Sequence, residues 1–196
     1  MAEPWLVAGL GNPGESYAAT RHNIGARVVL HLAETLGVRL RKVRFISAVA
    51  AEATSHDASL LLVLPGTWMN LSGPPIASFA RRRRVPVDRV IVCHDEMDLS
   101  FGALRIKKEG STAGHHGLDS LVEAFRSPDF YRIRLGVGRP SGRKGSIDHV
   151  LEPFAKSERE EVEVLVADAA DAVLSLVTDG LSVTQSRYNR GGVRES

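Results

Sequence analysis

Residues 5–37 read WLVAGLGNPGESYAATRHNIGARVVLHLAETLG. Trp5 to Gly9 is an apolar run closed by a glycine turn, the pattern of a short buried strand. From residue 23 the period changes: Ile24, Val28, Leu32 and Leu36 recur at helical spacing, and Gly37 stops the run. Buried strand, glycine-rich turn and amphipathic helix, in that order, predict an α/β fold.

The remaining chain alternates in the same way. Strands are expected over 43–53 and 59–64, joined by the polar turn Ser55-His56-Asp57, and over 89–94, 104–108 and 131–137. In the last of these Tyr131, Ile133, Leu135 and Val137 share one face, and Arg132 and Arg134 the other. Helices are expected from Ser72, a candidate cap with Pro74 in the first turn, to the arginines 81–84, and over 116–125, 157–178 and 181–188. With no repeat and no long linker, residues 1–196 read as one α/β domain, with a polar tail from about 190.

Composition narrows the function classes. Of the 196 residues 43% are hydrophobic, enough for a core. No stretch approaches the ~20 apolar residues of a membrane span. The start MAEPWLVAGL lacks a basic segment before its apolar run, so no secretory signal is expected. A single cysteine, Cys93, excludes an intrachain disulfide framework and leaves too few thiols for a zinc ribbon. These features predict a cytoplasmic protein with no membrane partner. The net charge of +2 hides a segregation. Residues 81–144 carry 14 basic and 8 acidic side chains, whereas residues 145–196 carry 5 basic and 10 acidic. A basic middle of this kind can mark a polyanion footprint.

Five segments contain chemistry-bearing residues. Gly9 to Gly14 matches GxGxxG after a strand, the dinucleotide fingerprint. A dinucleotide loop runs straight into its helix, whereas here the helix starts only near His22. The glycines therefore read as a sharp turn presenting Asn12. His22, at that helix start, is a candidate general base, since the positive helix end favours the neutral imidazole. After the strand RVIVCH comes Asp95, at a strand's carboxyl edge, where it could orient a histidine. His94, Asp95, His115 and His116 are metal-ligand types, but no HExxH-type spacing accompanies them, so no metal is expected. In residues 67–73, Asn70 offers an amide for a substrate backbone or a helix cap. Residues 107–117 put small residues beside two lysines ahead of a helix, the make-up of a phosphate loop without Walker A spacing. The arginines 81–84 read as a capping and solubility feature, because cations suit a helix C-terminus.

Taken together, GLGNPGESYAATRHNIG, PGTWMNLSG, HDEMDLSFG, LRIKKEGSTAGHHGLDS and YRIRLGVGRP resemble, in order and spacing, the bacterial-type peptidyl-tRNA hydrolases. The resemblance runs from Trp5 to Tyr188-Asn189-Arg190. It implies a single domain around a mixed twisted sheet flanked by helices. It also implies cleavage of the ester joining a peptide to the 3′ ribose of tRNA, with no metal or nucleotide cofactor, by a monomer. Carried over by position, His22 is the catalytic base and Asp95 the carboxylate that orients it. Asn12 and Asn70 hold the peptide and terminal nucleotide. Tyr17 and Met69 line the pocket. Lys107 and Arg134 grip tRNA phosphates near the acceptor end.

The chain departs from the family pattern in one loop. Glu109, Ser111 and Ala113 stand where glycine is usual, Asp119 where a basic residue is common, and His116 in place of a substrate-contacting asparagine. These departures raise an alternative, an RNA-binding relative with reduced or lost turnover. Retention of Asn12, His22, Asn70 and Asp95 argues for the hydrolase.

Overall fold

In the computed structural model, which describes residues 3–140 and 145–189, seven strands form one mixed sheet. They are β1 (Trp5–Gly9), β2 (Arg41–Lys42), β3 (Ala48–Ser55), β4 (Ala58–Pro65), β5 (Val90–Glu96), β6 (Leu104–Lys108) and β7 (Tyr131–Gly136). Their spatial order is β2-β3-β4-β1-β5-β7-β6. The central four, β4-β1-β5-β7, are parallel, and antiparallel pairs extend the sheet at both edges.

The helices are α1 (Ile24–Thr35), α2 (Gly73–Arg83), α3 (His116–Phe125), α4 (Ser146–Leu151), α5 (Arg159–Asp179) and α6 (Leu181–Tyr188). None is long and apolar enough to cross a membrane among the described residues. Strand alternation sorts them into two layers. Val7, Ile91, Cys93, Ile133 and Leu135 face α1 and α5 in one core. Leu6, Ala8, Val90, Val92 and Phe130 face α2 and α3 in the other. Because both faces of the central strands are covered, they read as continuous apolar runs.

Chain direction creates the crevice. After β1 the chain builds β2 to β4 on one side of that strand, then crosses through α2 to add β5 on the other. This strand-order reversal leaves a cleft at the carboxyl ends of β1 and β5, the usual site location in such sheets. At the far edge, α6 and the residue after it cover β6. Asn189 Oδ1 accepts the Ile106 N–H at 2.7 Å, and Gln185 donates to the Ile106 carbonyl at 3.0 Å, which blunts an exposed strand edge.

Local expectations failed where backbone geometry overrode pattern. The strand expected from residue 43 starts at Ala48, because Phe45 takes a left-handed φ of 63° that interrupts pairing after the two-residue β2. Ser72 occupies the N-cap position of α2 without making a side-chain cap bond. A 3-10 turn over Lys156–Glu158 precedes α5. Helix α4, flanked by too few periodic residues to be seen, was not anticipated. The polar tail from about 190 lies outside the described residues.

Candidate active site

Three segments converge on Asp95. The first is the turn after β1. Asn12 N–H donates to Asn23 Oδ1 at 2.9 Å, and Asn23 Nδ2 donates to the Asn12 carbonyl at 2.9 Å, a reciprocal clamp on the loop. Asn12 Oδ1 in turn accepts the Met69 N–H at 2.8 Å. With its oxygen engaged, the Asn12 side chain keeps its Nδ2 donors for the cleft.

The second segment is the 3-10 turn Arg21–Asn23, which places His22. Buried Arg21 pairs with Glu158 at 2.9 Å and lies over the Phe154 ring, so the turn is docked on the chain leading into α5. Gly25 begins the next turn. A Cβ there would fall onto the Cys93 carbonyl oxygen. Only glycine lets the start of α1 lie this close to β5, and that approach brings His22 to Asp95. His22 Nδ1 is 2.9 Å from Asp95 Oδ1, across 73 residues of sequence.

The third segment is the loop between β6 and α3, whose last residue is His115. The same Asp95 oxygen receives His115 Nε2 at 3.0 Å. His115 is also the N-cap of α3, its Nδ1 accepting the Gly117 and Leu118 N–H groups at 3.1 and 3.4 Å. Because Nδ1 accepts, Nε2 must carry the proton given to Asp95. Glu109, Gly110, Ala113 and Gly114 all have positive φ in this loop, at 61°, 98°, 51° and 77°. For Glu109 and Ala113 that conformation costs roughly 1–2 kcal/mol each. The loop is braced from below by Arg132, only 2% exposed, whose Nη1 and Nη2 each donate at 2.7 Å to the carbonyls of Ser111 and Gly110. Burial lowers the Arg132 pKa, but a guanidinium titrates so far above neutral pH that it stays charged.

Electrostatics follow from these contacts. Burial alone would push the Asp95 carboxyl up, but His115 and His22 outweigh it and hold the group well below the usual carboxylate range. Burial lowers the His115 pKa and the Asp95 charge raises it by more. A second proton could enter that ring only at Nδ1, in place of the two amide bonds. His94, beside Asp95 in sequence and 1% exposed, is pushed down to about 3 by burial and by His115, so it is neutral. Its Nδ1–H donates to the Asp95 carbonyl at 2.7 Å, and its buried Nε2 has no partner among the described residues. Burial pushes the Cys93 thiol far above its ordinary range, so it offers no thiolate nucleophile.

His22, Asp95 and His115 present ligand atoms within 4.8 Å of one another, a spacing that could hold a cation. The protons argue otherwise. A metal on His115 Nε2 would move that ring's proton to Nδ1, against two amide donors. The cap on α3 therefore favours a hydrogen-bonded carboxylate over a metal centre.

The positions anticipated from sequence are distributed as follows. His22 and Asp95 are in contact, and Asn12 and Met69 are joined beside them. Tyr17 packs edge-on against Trp68 at 5.6 Å, and Asn70 is exposed in the turn Met69–Leu71, so these form the rim. Lys107 pairs in register with Arg132, and Arg134 with Arg105, which puts four basic residues on one face of β6–β7. Arg134 is held by Glu96 at 3.0 Å. His116 is not drawn into the cluster: its side chain is 69% exposed, and its Nδ1 is 3.9 Å from Asp119. Its neighbour His115 makes the contact with Asp95 instead. Sequence reasoning missed His115, Asn23 and Arg132 as structural members of this centre. Adjacent histidines at a helix start gave no indication which would point inward, and Arg132 read only as one face of a strand.

Known proteins resemble this chain over nearly its whole length. The family model described as peptidyl-tRNA hydrolase matches residues 6–196. A peptidyl-tRNA hydrolase of Frankia casuarinae is 47% identical over 186 residues, covering 95% of this chain and 94% of that protein. One of Nocardia farcinica is also 47% identical, covering 95% and 96%. The crystal structure of peptidyl-tRNA hydrolase from Acinetobacter baumannii superposes with a TM-score of 0.90 at 30% identity, covering 97% of this chain and 96% of that one.

Proposed function

The chain belongs to the peptidyl-tRNA hydrolase family and is a hydrolase acting on peptidyl-tRNA, and from that premise we propose that His22 activates the attacking water. One observation carries the reading. Asp95 Oδ1 sits on His22 Nδ1, so the neutral ring carries its proton there and leaves Nε2 as the base.

In this mechanism Nε2 takes a proton from water as the oxygen attacks the ester carbonyl. The buried Asp95 charge stabilises the imidazolium that forms. Asn12 Nδ2, aimed by the Met69 amide on Oδ1, donates to the developing oxyanion, and Asn70 holds the peptide or terminal nucleotide from the rim. Collapse of the tetrahedral intermediate breaks the bond to the ribose oxygen, which takes the proton back from His22 Nε2. Free peptide acid and tRNA are released. Tyr17 and Met69 wall the pocket.

The acceptor end of the tRNA lies along β6–β7, where Lys107 and Arg134 neutralise phosphates. RNA duplexes are recognised there by backbone and shape. His116 reaches the substrate from the exposed start of α3. The protein works as a cytoplasmic monomer and needs no cofactor.

The test is release of an N-acetylated amino acid from its tRNA by the wild type and His22→Ala. A loss of about 10²–10⁴-fold is expected, the usual contribution of a positioned general base. An unchanged circular dichroism spectrum keeps folding out of the result, and full activity in the variant would remove His22 from the mechanism.

A further inference from the structure

The four arginines at 81–84 play no part in the chemistry at Asp95. They end α2, with Arg81, Arg82 and Arg83 in its last turn and Arg84 in a left-handed cap. Their charge suits the helix terminus, but capping does not account for what lies beside them. Arg39, Arg41 and Lys42 line one groove with Arg82 and Arg83, about 740 Å³ in volume, between edge strand β2 and the end of α2. Arg82 Nη1 also donates to the Arg44 carbonyl at 2.7 Å, which ties the turn after β2 to the same helix end.

The charge in this groove is largely uncompensated. Its one lining carboxylate is Glu52, and Arg83 takes it. Among the described residues Arg39, Arg41, Lys42, Arg44 and Arg82 make no ion pair. Beside them Phe45 is 84% exposed, with the Arg44 guanidinium 4.5 Å from its ring centre. Its left-handed φ of 63° is an outlier for a bulky residue. Phe45 stands at the margin of the groove, joined to it through Arg44, whose carbonyl takes Arg82, and an aromatic ring left in water against a guanidinium has no packing role. It has the chemistry of a stacking platform within a phosphate-binding surface.

We propose that this groove is a second RNA-contact surface, which takes an unpaired segment by its phosphates and stacks a base on Phe45. The flat ring favours RNA over an acidic peptide, which has phosphate-like charge but no nucleobase. The groove lies at the opposite edge of the sheet from Lys107 and Arg134, so it engages a different stretch of RNA. That segment belongs either to a loop of the tRNA substrate or to another RNA.

The experiment uses the full chain and two surface variants, Phe45→Asn, which tolerates the left-handed backbone, and Arg39→Gln/Arg41→Gln/Lys42→Gln. Fluorescence anisotropy reads affinity for labelled oligouridine and for deacylated tRNA over a range of salt. Oligouridine binding should weaken about tenfold in each variant, as loss of a stacked base or of several phosphate contacts predicts. The salt slope of the triple variant should fall by about 2, at roughly 0.7 per phosphate contact. A parallel loss of tRNA affinity assigns the segment to the substrate, and an unchanged tRNA affinity assigns it to another RNA. Unchanged oligouridine affinity and slope in both variants would overturn the proposal, as would selective loss of polyglutamate binding. Hydrolysis of an ester on a short CCA-ended oligonucleotide should be equal in all three proteins. Failure of the hydrolase reading would appear there, in the wild type, independently of the groove.

Discussion

His115 donates its Nε2–H to Asp95 at 3.0 Å, to the same oxygen that receives His22. One carboxylate oxygen thus aligns the proposed base and anchors the loop entering α3. The base is tied through it to the helix cap and, behind the cap, to the Arg132 fork.

Asp95→Asn should remove the charge that stabilises the imidazolium. An amide oxygen in the place of Oδ1 can still accept from both rings, but the neutral group no longer offsets the charge that forms on His22. The expected result is a fall in kcat of about 10²–10⁴-fold, as for other orienting carboxylates, with tRNA affinity nearly unchanged in a binding titration. A kcat within a factor of two of wild type would sever Asp95 from the base.

His94 makes stability depend on pH. Its folded pKa of about 3 lies below the unfolded value of ~6.5. Between those limits the unfolded chain binds a proton that the folded chain refuses, so this contribution is fully present above pH 6.5 and is lost as pH falls toward 3. The slope reaches up to about 1.4 kcal/mol per pH unit. The depressed Asp95 acts lower, with stability lost only as pH falls below its unfolded value of ~3.9. Urea unfolding at several pH values between 7 and 5 should show a shallower dependence in His94→Asn than in the wild type. Parallel dependences would refute this role.

Arg132→Lys tests the loop brace. Lysine cannot fork onto two carbonyls, so the Gly110 and Ser111 oxygens lose paired, charge-assisted bonds worth about 1.5–3 kcal/mol each. A stability loss of about 2–4 kcal/mol is expected by urea unfolding, along with a kcat reduced more than KM, because His115 is carried by this loop. Wild-type stability would show that the fork does not hold it.

His116→Asn addresses the family departure most open to repair. The side chain is exposed and only loosely near Asp119, so the change leaves packing intact. A gain of roughly fivefold in kcat/KM is expected if the amide restores one substrate hydrogen bond of about 1 kcal/mol. Equal rates would show that position 116 does not touch the substrate.

Much of this was legible in the chain alone. The run Trp5–Gly9 and the period of Ile24, Val28 and Leu32 dictate a buried strand and an amphipathic helix, because burial must match backbone period. The motif order was enough to single out His22, Asp95 and Asn12. Local pattern could not report contacts made across the sheet. That His115 rather than His116 turns toward Asp95 depends on which ring caps α3. That Arg132 is buried beneath a loop of left-handed residues depends on the chain folding back over β7. That Arg82 and Arg83 share a groove with Arg41 and Lys42 depends on where α2 ends relative to the sheet edge. Sequence by itself determined the elements and the chemistry they carry, since both are set by residues near in the chain. The tertiary structure decided which side chains share an oxygen, a brace or a groove, since those distances are set only when segments as far as 73 residues apart in the chain are brought side by side.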